Sequence, residues 1–208
     1  VTAAKPSPPT GPVAILRGIT PDDVVAIGHA LVDAGFGAIE VPLNSPQPFH
    51  SIERLAAAVG EVCVVGAGTV LSIDDVSRAH SAGSVIIVSP DTNTGVITAA
   101  VARNMRPYPG VATPTEAFRA LGAGARSLKL FPSDVLGIAG MRALRAVLPT
   151  GVEMLPVGGV DENNLGSWAA AGAEGAGLGS CLYRPGDGVD AVRARARALM
   201  HIWSCAAA

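Results

Sequence analysis

The sequence predicts an α/β fold, a single-domain (β/α)8 barrel of the TIM type. Eight short β-type runs recur along the 208 residues, and each is followed by an Ala/Leu/Val-rich helical pattern. Glycines stand near the ends of those patterns, at Gly35, Gly60, Gly83, Gly122 and Gly172, where a left-handed residue would stop a helix before the next strand. Strands that alternate with helices pair in parallel. Eight such units in this length fit a compact barrel. An open doubly wound sheet is the alternative. Against it, no Gly-x-Gly-x-x-Gly follows the first run, and closure needs the count of eight.

The runs, in order, are Val13 to Arg17, Ala38 to Leu43, Val62 to Gly66, Val85 to Ser89, Arg106 to Pro109, Ser127 to Phe131, Glu153 to Gly158 and Gly175 to Ser180. Helix-start signals follow at Thr20-Pro21-Asp22-Asp23, Ser72-Ile73-Asp74-Asp75, Thr113-Pro114-Thr115-Glu116 and Asp161-Glu162-Asn163. Residues 1–12, rich in Pro, Ala and Thr, read as a flexible N-terminal tail without the apolar core of a signal peptide. Residues 13–203 then form the barrel domain and 204–208 a C-terminal tail.

Composition narrows the partners. Charged residues are 15% and the formal net charge is −2, so there is no basic field to meet a nucleic-acid backbone. No apolar stretch reaches the roughly 18 residues of a membrane span. A soluble, cytoplasmic protein that uses neither membrane nor nucleic acid is expected. Cys63, Cys181 and Cys205 are odd in number and far apart, which fits reduced thiols. His29, His50, His80 and His201 lack metal-ligand spacing, so no metal is expected.

Lysine is the informative residue. The chain has Lys5 in the tail and Lys129 in the sixth run, and no other. In Ser127-Leu128-Lys129-Leu130-Phe131 the period of two sends the leucines to one face and Lys129 to the other; with the leucines against helices, the ammonium points into the barrel. Arginine stays protonated and cannot act as an amine nucleophile, whereas a buried lysine can lose its proton. A structural pairing of Lys129 with Glu40 or Asp134 is the plainer alternative. In Ala38-Ile39-Glu40-Val41-Pro42-Leu43 the same alternation turns Glu40 inward, and a buried carboxylate needs a partner. Arg17 shares the inward parity of Val13 and Ile15, which makes it either a donor to a carboxylate ligand or a partner of Glu40.

Glycine-rich ends mark an anion site. Val157-Gly158-Gly159-Val160 follows the seventh run and Gly177-Leu178-Gly179-Ser180 the eighth, the usual phosphate cradle of barrels, although tight turns use glycine too. Gly66-Ala67-Gly68-Thr69 after the third run offers N–H groups and a hydroxyl, or a tight turn with a capping Thr.

The chain resembles the 2-keto-3-deoxy-6-phosphogluconate/6-phosphogalactonate aldolase family from about Val13 to the last helix. The resemblance rests on Ala14-Ile15-Leu16-Arg17-Gly18, Glu40-Val41-Pro42-Leu43-Asn44-Ser45-Pro46, Gly66-Ala67-Gly68-Thr69-Val70, Leu128-Lys129-Leu130-Phe131-Pro132, Pro156-Val157-Gly158-Gly159-Val160 and Gly177-Leu178-Gly179-Ser180. It implies a class I aldolase, a homotrimer acting on a small phosphorylated sugar acid without metal or other cofactor. It further implies Lys129 as the Schiff-base residue and Glu40 as proton donor and acceptor. Arg17 and Thr69 would contact the pyruvate portion, and Gly158, Gly159, Gly179 and Ser180 the phosphate. Asn44 and Val157 stand where phosphogluconate relatives tend to carry Arg and Thr, which points to the galactonate epimer. Ser133-Asp134 and Ser89-Pro90-Asp91 depart from the family's usual residues.

Overall fold

Which way a side chain faces along a strand decides what it must meet, and in this chain both faces of every strand are covered. A computed structural model describes residues 11–207. Nine strands alternate with eight helices: β1 Gly11–Ile15, α1 Val24–Asp33, β2 Ala38–Pro42, α2 Pro48–Val59, β3 Val64–Gly68, α3 Ile73–Ser81, β4 Ile86–Val88, α4 Thr94–Val101, β5 Arg106–Tyr108, β6 Gly110–Val111, α5 Pro114–Gly122, β7 Ser127–Leu130, α6 Ser133–Arg145, β8 Glu153–Pro156, α7 Leu165–Ala170, β9 Gly175–Leu178 and α8 Val189–Ala206. The fold is α/β, and its registered strand pairs are all parallel. Six strands form one sheet in the order β5-β4-β3-β2-β1-β9 and three another in the order β6-β7-β8. A parallel bridge joins Val157, just past β8, to Gly177 of β9. β5 and β6 are consecutive in the chain and separated by Pro109, which has no N–H to give a ladder.

Odd and even positions lead to two different cores. Ala14, Ile39, Val41, Val65, Ile87, Leu130, Met154 and Leu178 pack against helix residues such as Ile27, Leu31, Leu55 and Trp168. The alternate positions Val13, Ala38, Val64, Ile86, Val88, Tyr108 and Leu155, drawn from both sheets, form a second cluster. Burial on both faces is why the strands read as near-continuous apolar runs.

The start signals act unevenly. Ser72 caps α3, accepting from Asp75 N at 3.1 Å, and Thr113 forms a full capping box with Glu116 on α5. Thr20 and Asp161 instead hold a turn before helices that begin at Val24 and Leu165. Gly35, Gly83 and Gly172 are left-handed as expected. Gly60 has φ −63°, and Gly122 lies inside α5, where Gly124 at φ +101° makes the stop. The third strand begins two residues later than expected, leaving Val62 exposed, so Gly66, Ala67 and Gly68 are buried strand residues and not a loop. Likewise Gly177 and Leu178 belong to β9. β1 takes in Gly11 and Pro12 of the expected tail of residues 1–12, and α8 runs past Trp203 into the expected tail of residues 204–208 as far as Ala206; residues 1–10 and residue 208 lie outside the described residues. Among the described residues no helix is long and apolar enough to cross a membrane.

Candidate active site

Lys129 is fixed by its backbone before its side chain does anything. Its N–H donates to Pro109 O at 2.9 Å across the β5–β6 break, and Leu128 and Leu130 on either side are fully buried. The side chain therefore leaves by the opposite face and is itself buried, with Nζ 4.6 Å from the centre of the Phe131 ring. Glu40 emerges in the same way between the buried Ile39 and Val41. Its carboxyl group lies on Gly68, where an added Cβ would sit 1.5 Å from Oε2. Glycine at 68 is thus what gives the carboxyl its place.

Lys129 and Glu40 line one cavity whose other walls include Ile15, Ile86, Val88, Leu155 and Val157. Neither is in an ion pair among the described residues, and Glu40 Oε2 has no hydrogen-bond partner. Burial raises the Glu40 carboxyl to about 7, opposed by the charges of Lys129 and Arg17. Burial also lowers Lys129; Glu40 opposes that shift and Arg17 adds to it. Burial thus pushes both groups toward their neutral forms, and among the described residues Lys129 forms no ion pair with Glu40 or with Asp134.

Arg17 follows β1 and is exposed. Its Nη1 donates to Asn44 Oδ1 at 2.6 Å, and Gly18 N donates to Ser45 Oγ at 2.9 Å, so the loops after β1 and β2 are tied together. Asn44, and not Glu40, is Arg17's hydrogen-bond partner. Val157 lies against Gly177, whose added Cβ would approach Val157 Cγ2 to 2.7 Å. Gly158 and Gly159 turn with φ of +100° and +68°, and Gly159 faces Asp134, with an added Cβ 2.6 Å from Asp134 Cβ. Thr69, at φ +55°, follows β3, and Gly179 and Ser180 follow β9. These three stand at the same ends of parallel strands as the others; of the candidate residues Glu40, Lys129 and Val157 line the cavity, and Arg17, Asn44, Thr69, Gly158, Gly159, Gly179 and Ser180 are outside its lining.

Two lining or neighbouring groups escaped the sequence reading. Tyr108 sits in the cavity wall and Phe131 under the ammonium. Inward parity, counted from Arg106 and from Lys129, was the available signal for both. Cys63, Cys181 and Cys205 are unbridged.

An amine and an acid lining one apolar cavity between parallel strands is an arrangement that amine-nucleophile chemistry can use. The chain belongs to the KDPG and KHG aldolase family, whose sequence profile matches residues 11–192. It is 48% identical over 188 residues to the 2-dehydro-3-deoxy-6-phosphogalactonate aldolase of Escherichia coli (strain K12), covering 90% of this chain and 92% of that one. A solved structure described as "Native KDPGal structure" superimposes with a TM-score of 0.94 at 45% identity, covering 98% of each chain. A cube-shaped, highly porous protein cage designed by fusing symmetric oligomeric domains superimposes with a TM-score of 0.92 at 46% identity, covering 94% of this chain and 73% of that one.

Proposed function

We propose that the chain is a Schiff-base aldolase that cleaves 2-dehydro-3-deoxy-6-phospho-D-galactonate to pyruvate and D-glyceraldehyde 3-phosphate. Lys129 is the nucleophile and Glu40 the proton-transfer group. The observation that carries this reading is the pair itself: an amine from β7 and a carboxyl from β2 over one apolar cavity, each shifted toward neutrality by burial.

The neutral Lys129 amine adds to the C2 ketone, and loss of water leaves a protonated imine. Glu40 takes the C4 hydroxyl proton, the C3–C4 electron pair moves into the imine to give an enamine, and the aldehyde departs. Glu40 then returns a proton to C3, and water releases pyruvate from Lys129. A carboxyl titrating at about 7 suits both directions, since its two forms are both populated near neutral pH. No metal or other cofactor enters these steps.

Arg17, held by Asn44, and Thr69 bind the carboxylate end of the substrate. Gly158, Gly159, Gly179 and Ser180 receive the phosphate. Gly179 supports that role because an added Cβ there meets nothing within 4 Å, so packing does not require glycine, whereas close approach of a ligand does. Asn44 and Val157 select the C4 epimer. The gluconate epimer is the second reading, and Val157, with no donor for a hydroxyl, is the observation against it.

The two sheets close into one (β/α)8 barrel forming a single domain. The Val157–Gly177 bridge supports closure on one side and the continuous chain through Pro109 on the other. We place the protein in the cytoplasm as a homotrimer, the oligomer being in keeping with a relative's use in a cage of symmetric oligomeric domains.

Incubation with pyruvate and borohydride tests the chemistry. Irreversible added mass is expected on the peptide that contains Lys129, and an unmodified Lys129 sinks the mechanism.

A further inference from the structure

Ser133 has no task in the steps above, although the Ser133-Asp134 pair stood out in the sequence. It opens α6 and is fully buried. Both of its donors go to the exit of β8: its N–H donates to Val157 O at 2.9 Å and its hydroxyl to Gly158 O at 2.6 Å. Serine hydroxyls bonded to backbone usually serve their own turn or cap. This one reaches 25 residues along the chain to a single carbonyl.

That carbonyl belongs to the peptide between Gly158 and Gly159, whose φ angles are +100° and +68°. Glycine accepts φ of either sign, so a peptide flanked by two glycines rotates at little steric cost and its orientation has to be set from outside. The peptide is trans, and its C=O and N–H therefore point in opposite directions. With the carbonyl turned to Ser133, the Gly159 N–H is turned away from α6. Among the described residues that N–H has no backbone acceptor.

The strand order says what lies on the far side. β8 pairs with β7, from which Ser133 follows, and Val157 bridges to Gly177 of β9 on the other flank. The direction away from Ser133 is thus the β9 side, where Gly179 stands two residues past Gly177 and an added Cβ would meet nothing within 4 Å. The next carbonyl of the loop is held separately, since Asn164 Nδ2 donates to Gly159 O at 2.7 Å. Loss of the Ser133 hydroxyl therefore frees one peptide and not the whole loop.

We propose that Ser133 is a positioning residue for the substrate's phosphate: its hydroxyl fixes the Gly158–Gly159 peptide so that the Gly159 N–H is presented to a phosphate oxygen between the loops after β8 and β9. The proposal rests on the reading of those loops as the phosphate seat. An N–H donating to a phosphate is a charge-assisted hydrogen bond, and a donor already in place spares the ligand the cost of ordering it.

Ser133→Ala removes the hydroxyl and keeps nearly the same volume. The test runs the reaction in the direction of addition, with pyruvate and either D-glyceraldehyde 3-phosphate or unphosphorylated D-glyceraldehyde. The ratio of kcat/KM for the phosphorylated to the unphosphorylated aldehyde should fall roughly tenfold in the variant, mostly through KM. Inhibition by inorganic phosphate should weaken in parallel, while borohydride trapping of pyruvate at Lys129 persists and shows that the fold is intact. Ser133→Cys, which keeps a weak donor of similar shape, should fall between the two, and it carries the test if the alanine variant does not fold. A wild-type ratio in both variants overturns the proposal, as does an equal loss with both aldehydes, which would make Ser133 a general support of the barrel. A wild-type enzyme indifferent to the aldehyde's phosphate would count against the phosphate seat itself, and the positioning role would fall with it.

Discussion

Two pairs of opposite charges point into the interior of this molecule, and they are built differently. Arg106 and Glu153, at the starts of β5 and β8, form an ion pair at 2.5 Å with the Ser127 hydroxyl bonded to both. Two residues along β7 from Ser127, Lys129 faces Glu40 with no ion pair, and one Glu40 oxygen has no hydrogen bond. The first pair has every advantage of geometry and is partly wetted. The second is drier and unpaired, and burial drives both members toward neutrality. A satisfied pair is a structural tie, whereas an unsatisfied one is poised for chemistry.

The sharpest break of that contrast is Glu40→Gln, which keeps the shape and removes the titration. Turnover should fall roughly 10²–10⁴-fold, while the borohydride adduct at Lys129 still forms. Near-normal cleavage would reduce Glu40 to a neighbour of Lys129. The same variant has a stability signature. Glu40 titrates at about 7 when folded against 4.5 as its ordinary value, so between those values the unfolded chain has released a proton that the folded chain retains. The contribution of Glu40 is therefore most favourable below pH 4.5 and declines as pH rises toward 7, by roughly 3 kcal/mol. Lys129, shifted down, acts oppositely, and stability rises with pH between its folded value and 10.5. Urea unfolding across pH 4.5–7 should show the decline in the wild type and a flat line in Glu40→Gln. A decline that survives in the variant would place its source elsewhere.

Arg106→Met probes the other pair. It leaves the Glu153 carboxylate and the Ser127 hydroxyl without their cation, and their partial exposure softens the penalty. The expected loss is about 2 kcal/mol in urea unfolding, below what a fully buried pair would lose. The pH-dependent decline assigned to Glu40 should persist. Unchanged stability would mean that the interior tie contributes nothing and that the two pairs differ less than their geometry indicates.

Much of the site was readable from parity alone. Counting by twos places Lys129 and Glu40 on inward faces because apolar neighbours on both sides fix the outward one. The same count applied to Arg106, Ser127 and Glu153 would have found the interior tie, but a charge at the start of a strand looks like any solvated loop-end residue. Tyr108 was hidden by its two flanking prolines, which read as the end of a strand where the chain in fact crosses from β5 to β6. The Gly66-Ala67-Gly68 run looked like a loop because glycine is a poor strand former. It is a strand because side chains of neighbouring strands, Ile86 and Glu40, occupy the space that larger residues at 66 and 68 would fill. That relation is tertiary, and no local pattern carries it. Arg17 offered a choice between Glu40 and a ligand, and Asn44, 27 residues away, was a partner that no spacing rule would have singled out.

The smallest expected effect concerns which substrate the unpaired end prefers. Val157 packs on Gly177 and presents a methyl-covered surface to the cavity that holds Lys129 and Glu40. Both C4 epimers yield the same products and use the same amine and acid, so discrimination has to come from whatever meets the C4 hydroxyl. A hydroxyl directed at Val157 finds no partner, at a cost on the order of 1–3 kcal/mol, or roughly ten- to a hundredfold in kcat/KM. Threonine has nearly the shape of valine and adds a donor and acceptor at that point. Val157→Thr should therefore narrow the preference for the galactonate epimer by roughly tenfold or reverse it. Pyruvate carries no C4, so its trapping at Lys129 should be unaffected, which separates a change in recognition from damage to the amine. Equal use of both epimers by the unmodified enzyme, or a preference for gluconate, would overturn the substrate assignment and leave the aldolase chemistry standing. A variant whose preference stays at the wild-type value would move the discrimination from Val157 to another residue.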